Sequence, residues 1–394
     1  MSDYNPELES LVRELNKKAT PGGPVAGPAR AAARPVESLP AGAAQSLDRI
    51  LRYSFERDAS DVLFVANCGI VLRRGGRIER SMSPILSAQE IRDLFLPLLS
   101  AERREELEAH RSFDFSFVRE GIGRFRANLH YQRGTLAAAI RILPAEIPTL
   151  ESLHLPASLG KLIERKQGLI LVTGPTGSGK TSTQAALMGI VNRKYPYHVV
   201  TIEDPIEYYH ADDQSVFEQI EIGHDSNDFA SALRSILRQN PDVILVGEMR
   251  DPETVATVLS AAETGHLVLS TLHTNDAVQA VNRIVDQFPS GRQVQIRQQL
   301  SLGLLAVIAQ QLIPAVDGEG RFPALEILVA NTAVRHLIRK GEDHMLSSQL
   351  SLGRSEGMIM MEQSLADLVQ KGAITREAAN MHCLREGELQ RYLS

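Results

Sequence analysis

From residue 168 onward the chain alternates short, mainly apolar runs with longer stretches in which apolar residues recur every three or four positions. The runs at 168–173 (Gly-Leu-Ile-Leu-Val-Thr), 198–203, 242–247 and 266–271 have strand length. Their continuous apolar character predicts a parallel sheet covered on both faces. Between them, 181–193 places Ala185, Leu187, Met188 and Val191 as packing positions, and 229–239 gathers Phe229, Leu233, Ile236 and Leu237 on one side. The next stretch has Asp251 as an N-cap, Pro252 in the first turn and Gly265 as a stop, which is helix punctuation. Further helices are predicted over 276–288 and over 291–313, the second from Leu300, Leu304, Val307, Ile308 and Leu312, and a helical tail closes the chain.

Residues 47–147 read differently. Leu47, Ile50, Leu51 and Phe55 form a helical stripe, a strand follows at 61–65, and 87–111 is helical and charged. Phe113, Phe115 and Phe117 then alternate with polar residues, 120–123 turns, and Phe125, Ala127, Leu129 and Tyr131 alternate again before a third strand at 135–143. That is a β-meander within an α+β domain of about 100 residues. Upstream, residues 4–18 carry Leu8, Leu11, Val12 and Leu15 at the spacing of one helix face, whereas 19–46 is rich in Ala, Pro and Gly with almost no large apolar residue. Such a stretch cannot bury enough surface to offset its ordering entropy, so it is expected to be a disordered linker. An apolar stripe at the end of a flexible arm suggests a tethered docking helix. The expected plan is a tail at 1–46, an α+β domain at 47–147, a linker at 148–157, an α/β domain at 158–330 and a helical region at 331–394.

Charge and composition narrow the function classes. The chain has 394 residues, a formal net charge of -6 and no global basic field, which disfavours nucleic acid as a partner. Two distant cysteines, Cys68 and Cys383, supply neither a four-cysteine zinc site nor a disulfide framework. No apolar run approaches the roughly 18 residues needed to cross a bilayer, and Asp3, Glu7 and Glu9 stand where a signal peptide would be basic and then apolar. A cytoplasmic location follows as the expectation, with peripheral attachment to a membrane left open.

The candidate chemistry centres on 174–181, Gly-Pro-Thr-Gly-Ser-Gly-Lys-Thr, which fits the Gly-x-x-x-x-Gly-Lys-Thr phosphate-binding loop. Gly174, Gly177 and Gly179 let backbone N–H groups point at phosphates, Lys180 can reach the β- and γ-phosphates, and Thr181 supplies a hydroxyl for Mg²⁺. Pro175, Thr176, Ser178 and Ser182 complete the expected nucleotide-binding set for ATP. The strand before the loop and the helix after it are the context the motif requires. Hydrolysis also needs an acid to hold Mg²⁺ or to orient water. Glu248 and Glu203 each end a predicted core strand, where ligands of open α/β sheets bind. Glu203 is assigned to activating water and Glu248 to Mg²⁺, partly through water; the two roles could be exchanged, since sequence gives no distances. His273 ends another core strand and is a candidate γ-phosphate sensor. Arg124, Arg126, Arg133, Arg141, Arg234 and Arg238 are available cations, and none is singled out.

Five blocks together resemble the secretion-superfamily ATPases: the loop itself, 201–207 (Thr-Ile-Glu-Asp-Pro-Ile-Glu), 245–251 (Leu-Val-Gly-Glu-Met-Arg-Asp), 261–266 (Ala-Ala-Glu-Thr-Gly-His) and 270–274 (Ser-Thr-Leu-His-Thr). Within that superfamily they are similar to the PilT-type retraction motors of type IV pili, and 333–339 (Ala-Val-Arg-His-Leu-Ile-Arg) is similar to the C-terminal signature of that branch. The resemblance implies a PAS-like N-terminal domain, a RecA-like ATPase domain and a homohexameric ring. It also implies an inner-membrane platform protein as partner, a paralogous motor subunit as a further one, and work at the cytoplasmic face of that membrane. An accessory paralogue of the motor and another traffic ATPase of the superfamily are the alternatives. The sequence departs from the family at its extra residues 1–46, at 60–64 (Ser-Asp-Val-Leu-Phe) and at Ile220, where an arginine is common.

Overall fold

The computed structural model describes residues 35–36, 47–75, 77–144, 146–318 and 320–394. The first sheet is built from β1 (Pro35–Val36), β2 (Asp61–Phe64), β3 (Cys68–Arg74), β4 (Arg77–Leu86), β5 (Ser112–Arg119), β6 (Gly123–Gln132) and β7 (Thr135–Leu143), in the order β1-β4-β3-β2-β7-β6-β5. All its pairings are antiparallel except β1 with β4. Helices α1 (Leu47–Phe55), α2 (Ala88–Phe95) and α3 (Ala101–His110) accompany it. The predicted alternation holds in β6, where Phe125, Ala127 and Leu129 are buried in one cluster with Ile50, Leu51, Ile91 and Phe95. A capping box starts α2: Ser87 accepts from the Glu90 backbone N–H, and the Glu90 carboxylate accepts from the Ser87 N–H at 2.8 Å.

The hairpin β3–β4 escaped the sequence reading because Arg73, Arg74 and Arg77 interrupt its apolar pattern. The stripe at 4–18 lies outside the described residues, as does most of 19–46. Two residues of that expected linker are corrected to strand: Pro35 and Val36 pair with Arg80 and Ser81. A proline is tolerated there because an edge strand can spare one N–H. The expected linker 148–157 is also no free connector. Leu150 and Leu155 are buried with Leu159, Ile163 and Ile170 against the second sheet, which gives this stretch apolar contacts a linker would lack.

That second sheet contains β8 (Gly168–Thr173), β9 (His198–Glu203), β10 (Val216–Glu221), β11 (Val243–Val246), β12 (Leu267–Leu272), β13 (Leu304–Pro314) and β14 (Arg321–Val329). Its order is β10-β9-β11-β12-β8-β13-β14, with every pair parallel except β13–β14. The helices are α4 (Lys180–Lys194), α5 (Phe229–Ile236), α6 (Pro252–Glu263), α7 (Ala277–Asp286) and α8 (Ser290–Gly303). Strand residues divide between two faces as the pleat requires. Leu169 and Leu171 pack on the side of α5 to α8, while Ile170 and Val172 pack against Ala186, Leu187 and Val191 of α4. Beyond the sheet lie α9 (Thr332–Lys340), α10 (Leu346–Leu352), α11 (Met361–Gln370), α12 (Arg376–His382) and α13 (Glu386–Leu393).

The single helix expected over 291–313 is corrected to α8 followed at once by β13. Leu304, Val307, Ile308 and Leu312 satisfy helical spacing only because nearly all of the run is apolar, and such a run has no period of its own. Position decides the matter: β13 is hydrogen-bonded to β8 on one side and β14 on the other, so its backbone groups are satisfied as a strand. Ile308→Ala is expected to cost about 2–5 kcal/mol in urea unfolding, because Ile308 is fully buried in this central strand. Val294→Ala in α8, a residue 77% exposed, should change stability by less than about 0.5 kcal/mol.

Candidate active site

The register of the second sheet brings its chemistry to one edge. Val246 pairs with Ile202, so Glu203 and the Gly247–Glu248 pair emerge side by side from β9 and β11. Leu272 pairs with Thr173, so His273 and Gly174 leave their strands together. These ends open on a cleft of about 680 Å³. Thr176, Gly177, Gly179, Lys180, Thr181, Ser182, Glu203, Glu248 and His273 line it. Gly174, Pro175 and Ser178 do not line it; they shape the loop behind. Gly174 has φ 144°, and a side chain there would put Cβ 2.3 Å from the Gln310 carbonyl oxygen and 2.6 Å from Ser178 Oγ. Gly179, at φ 87°, serves as the N-cap of α4 with no capping side chain. The first-turn N–H groups of α4 therefore have no side-chain cap, an arrangement suited to an anion.

Lys180 Nζ donates to the carbonyl oxygens of Gly174 (2.8 Å) and Pro175 (3.0 Å), folding the lysine across its own loop. Burial pulls its pKa below the ordinary lysine value, and the charges of Glu248 and Glu207 oppose that shift. Ser182 Oγ shares a hydrogen bond with Tyr208 Oη at 2.9 Å. The loop thus fits a nucleotide triphosphate: a cradle in which Gly174 and Gly179 have no room for a side chain, and a lysine that can exchange carbonyls for phosphate. Mg²⁺ takes few protein ligands beside phosphate and water, and Thr181 and Glu248 are the residues that would hold it.

The two strand-end glutamates differ in setting. Glu203 is buried; its Oε1 accepts from Thr201 Oγ1 at 2.7 Å and from Gln219 Nε2 at 3.3 Å. Burial pushes its carboxyl up to about 7, against those hydrogen bonds. Glu248 is instead partnered by basic side chains: it pairs with the Arg250 guanidinium and stands 3.5 Å from His273 Nε2. His273 therefore meets the cleft through Glu248 as well as through its own half-exposed ring.

Several contributors escaped the sequence reading. Gln310 of β13 is 3% exposed; its Oε1 accepts from Thr183 Oγ1 and its Nε2 donates to the Ser178 carbonyl, both at 2.7 Å. A pair of amides, Gln310 and Gln311, interrupting an otherwise apolar run was the signal available for it. Arg250 and Arg321 also line the cleft, as do Ser60 and Asp61; of the candidate arginines named from the sequence, Arg126 and Arg141 of the first sheet line it too. Arg124 donates to the carbonyl oxygens of Ile206 (2.7 Å) and Glu207 (3.2 Å), and its guanidinium lies 3.3 Å from the centre of the Tyr209 ring. Of the other candidate arginines, Arg234 is paired with Glu253, and neither it nor Arg133 or Arg238 lines the cleft.

Fold and site define a P-loop nucleotide triphosphatase of the α/β class. The family described as Type II/IV secretion system protein matches residues 151–387, and the chain belongs to that family. Its members' similarity extends beyond the matched segment. The twitching motility protein of Neisseria gonorrhoeae is 43% identical over 336 residues, covering 85% of this chain and 90% of that protein. The type IV pilus ATPase PilU of Pseudomonas aeruginosa is 38% identical over 343 residues, covering 87% and 90%. The crystal structure of the pilus retraction motor PilT with bound ADP superposes with a TM-score of 0.82 at 44% identity, covering 88% of this chain and all but 1% of that one. The enzyme is an ATPase.

The Glu203 carboxyl gives a stability prediction. Its folded pKa is raised, so the unfolded chain ionises first, and folding stability falls as pH rises from about 4.5 to about 7. Glu203→Gln removes that penalty. Melting at pH 8 should show the variant more stable by up to roughly 3 kcal/mol, with the difference vanishing near pH 4. At the loop, Gly174→Ala is expected to lower affinity for a fluorescent ATP analogue at least about tenfold, a loss of roughly 1.4 kcal/mol read by titration.

Proposed function

We propose that this ATPase powers type IV pilus retraction as a homohexameric ring at the cytoplasmic face of the inner membrane, acting on a membrane platform protein. The observation that carries the reading is a complete phosphate loop with two strand-end glutamates, in a chain alike to the PilT retraction motor over nearly that motor's whole length. No helix among the described residues is long and apolar enough to cross a membrane, so a membrane partner would have to be met from the surface. In this reading the first sheet belongs to a PAS-like domain and the second to a RecA-like one.

Backbone N–H groups of 176–181 and Lys180 bind the phosphates, and Thr181 with Glu248 would hold Mg²⁺, which when bound would neutralise charge on the phosphate oxygens. Glu203 takes the proton of the attacking water. Its raised pKa suits a general base working near neutrality. Arg250 and His273 keep Glu248 in place from either side. Arg126 and Arg141, carried by the other sheet, border the same cleft. A change of charge in the cleft therefore acts on the angle between the two domains, and in a ring it would act on neighbouring copies.

The similarity to PilU favours a second reading, an accessory subunit beside a separate motor. A count of surface pili separates the two. Cells lacking this chain should be hyperpiliated, and the wild-type gene should restore the count while Glu248→Ala should not. An unchanged count would favour the accessory subunit, and loss of pili an assembly motor. In vitro, the ATPase rate should rise with pH through about 7, and Glu203→Gln should lower it by at least about 100-fold and flatten that limb.

A further inference from the structure

A second cleft takes no part in the chemistry above. It encloses about 660 Å³ where Arg165 precedes β8, Leu305 enters β13 and Val329 ends β14. This is the end of β8 opposite the phosphate loop, roughly 20 Å away at about 3.3 Å per residue. Its floor is apolar, with Leu159 and Ile327 buried and Leu305 and Val329 partly so. Its rim carries Lys161, Arg165, Arg335 and Arg354.

None of these four cations takes part in an ion pair among the described residues. Arg335 donates to main-chain oxygens, those of Ala330 at 2.9 Å and Ser301 at 2.7 Å among them. Burial and then the like charge of Arg165 press its pKa below the ordinary value. Glu356, on the same wall, accepts from Asn331 Nδ2 at 3.0 Å instead of pairing with a cation. Uncompensated like charges around an apolar floor repel one another, and an anionic ligand with an apolar face relieves that repulsion.

The same chain carries a segment of that chemistry. Residues 3–15 hold Asp3, Glu7, Glu9 and Glu14 against Arg13, with Leu8, Leu11, Val12 and Leu15 at helix-face spacing. Pro35 of β1 is twenty positions beyond Leu15, enough to span about 65 Å when extended. A compact body of the remaining size has a radius of gyration of only about 20 Å. We propose that residues 3–15 dock in this cationic cleft, of their own chain or of the next copy, with the leucines on its floor and the acids among its cations.

Hydrogen–deuterium exchange on the full chain tests this. In about 0.1 M salt, amides 8–15 should exchange at least about tenfold more slowly than in a free peptide of the same sequence, and protection should fall in about 1 M salt as the Debye length shrinks from about 10 Å to about 3 Å. Arg165→Glu with Arg354→Glu should abolish the protection. So should Glu7→Lys with Glu9→Lys, a pair outside the described residues that reports even where the cleft pair fails to fold. Unprotected amides in the wild type, or protection surviving the Glu7→Lys and Glu9→Lys pair, overturns the proposal. So does co-sedimentation with phosphatidylglycerol vesicles that depends on Arg165 and Arg354 while exchange at 8–15 does not, since the cleft would then be a membrane contact.

Discussion

The phosphate loop keeps its shape because Gln310 reaches it from another strand. Both halves of that buried amide are used, one accepting from Thr183 in α4 and the other donating to the Ser178 carbonyl. The strand that carries it runs so close that Gly174 and Gly179 have no space for a Cβ: one would meet the Gln310 carbonyl oxygen at 2.3 Å, the other Gln310 Nε2 at 2.8 Å. The glycines that bare the backbone to a phosphate are thus also the price of packing β13 against the loop. An unmade hydrogen bond at this buried position would cost the full desolvation of the orphaned group, so the cradle and the strand order stand together.

Around that fixed loop, charge is arranged by burial rather than by sequence distance. Glu203 and Glu248 end adjacent strands, yet one carboxyl is walled in and pushed up to about 7 while the other lies between Arg250 and His273. Two acids in unlike environments can hold unlike roles in one reaction. Arg124 fastens the first sheet to the stretch that follows Glu203 through two carbonyl oxygens and the Tyr209 ring. The same geometry that readies the site also joins the two domains at it.

The C-terminal helices are tied in by a second buried cluster. Glu362 of α11 accepts from the backbone N–H groups of Leu384 and Arg385 and from the Arg385 guanidinium. Glu326 of β14, fully buried and pushed up to about 7 chiefly by desolvation, accepts from the Ala277 N–H at the start of α7. Arg385 stands 3.8 Å from Glu326, and α7 begins four residues after His273 of the nucleotide cleft, so this cluster lies on a short path between the end of the chain and the cleft.

The site was legible in the sequence where its chemistry is local. The phosphate loop is eight contiguous residues whose glycines, lysine and threonine each answer to one phosphate or metal contact, and the flanking apolar run and helix stripe located it. Glu203, Glu248 and His273 could be found because they end apolar runs, and the pleated register of a parallel sheet carries such ends to one edge. Tertiary structure alone decided the rest. The run at 304–314 suits a helix or a strand equally, and only its place between β8 and β14 made it a strand. Gln310 lies 132 residues from the Ser178 it holds, and Arg126 and Arg141 come from another domain. The proton affinity of Glu203 likewise depends on how much water the fold removes from it. Sequence fixes which groups are present and in what local order; distance and solvation exist only once the chain has closed on itself.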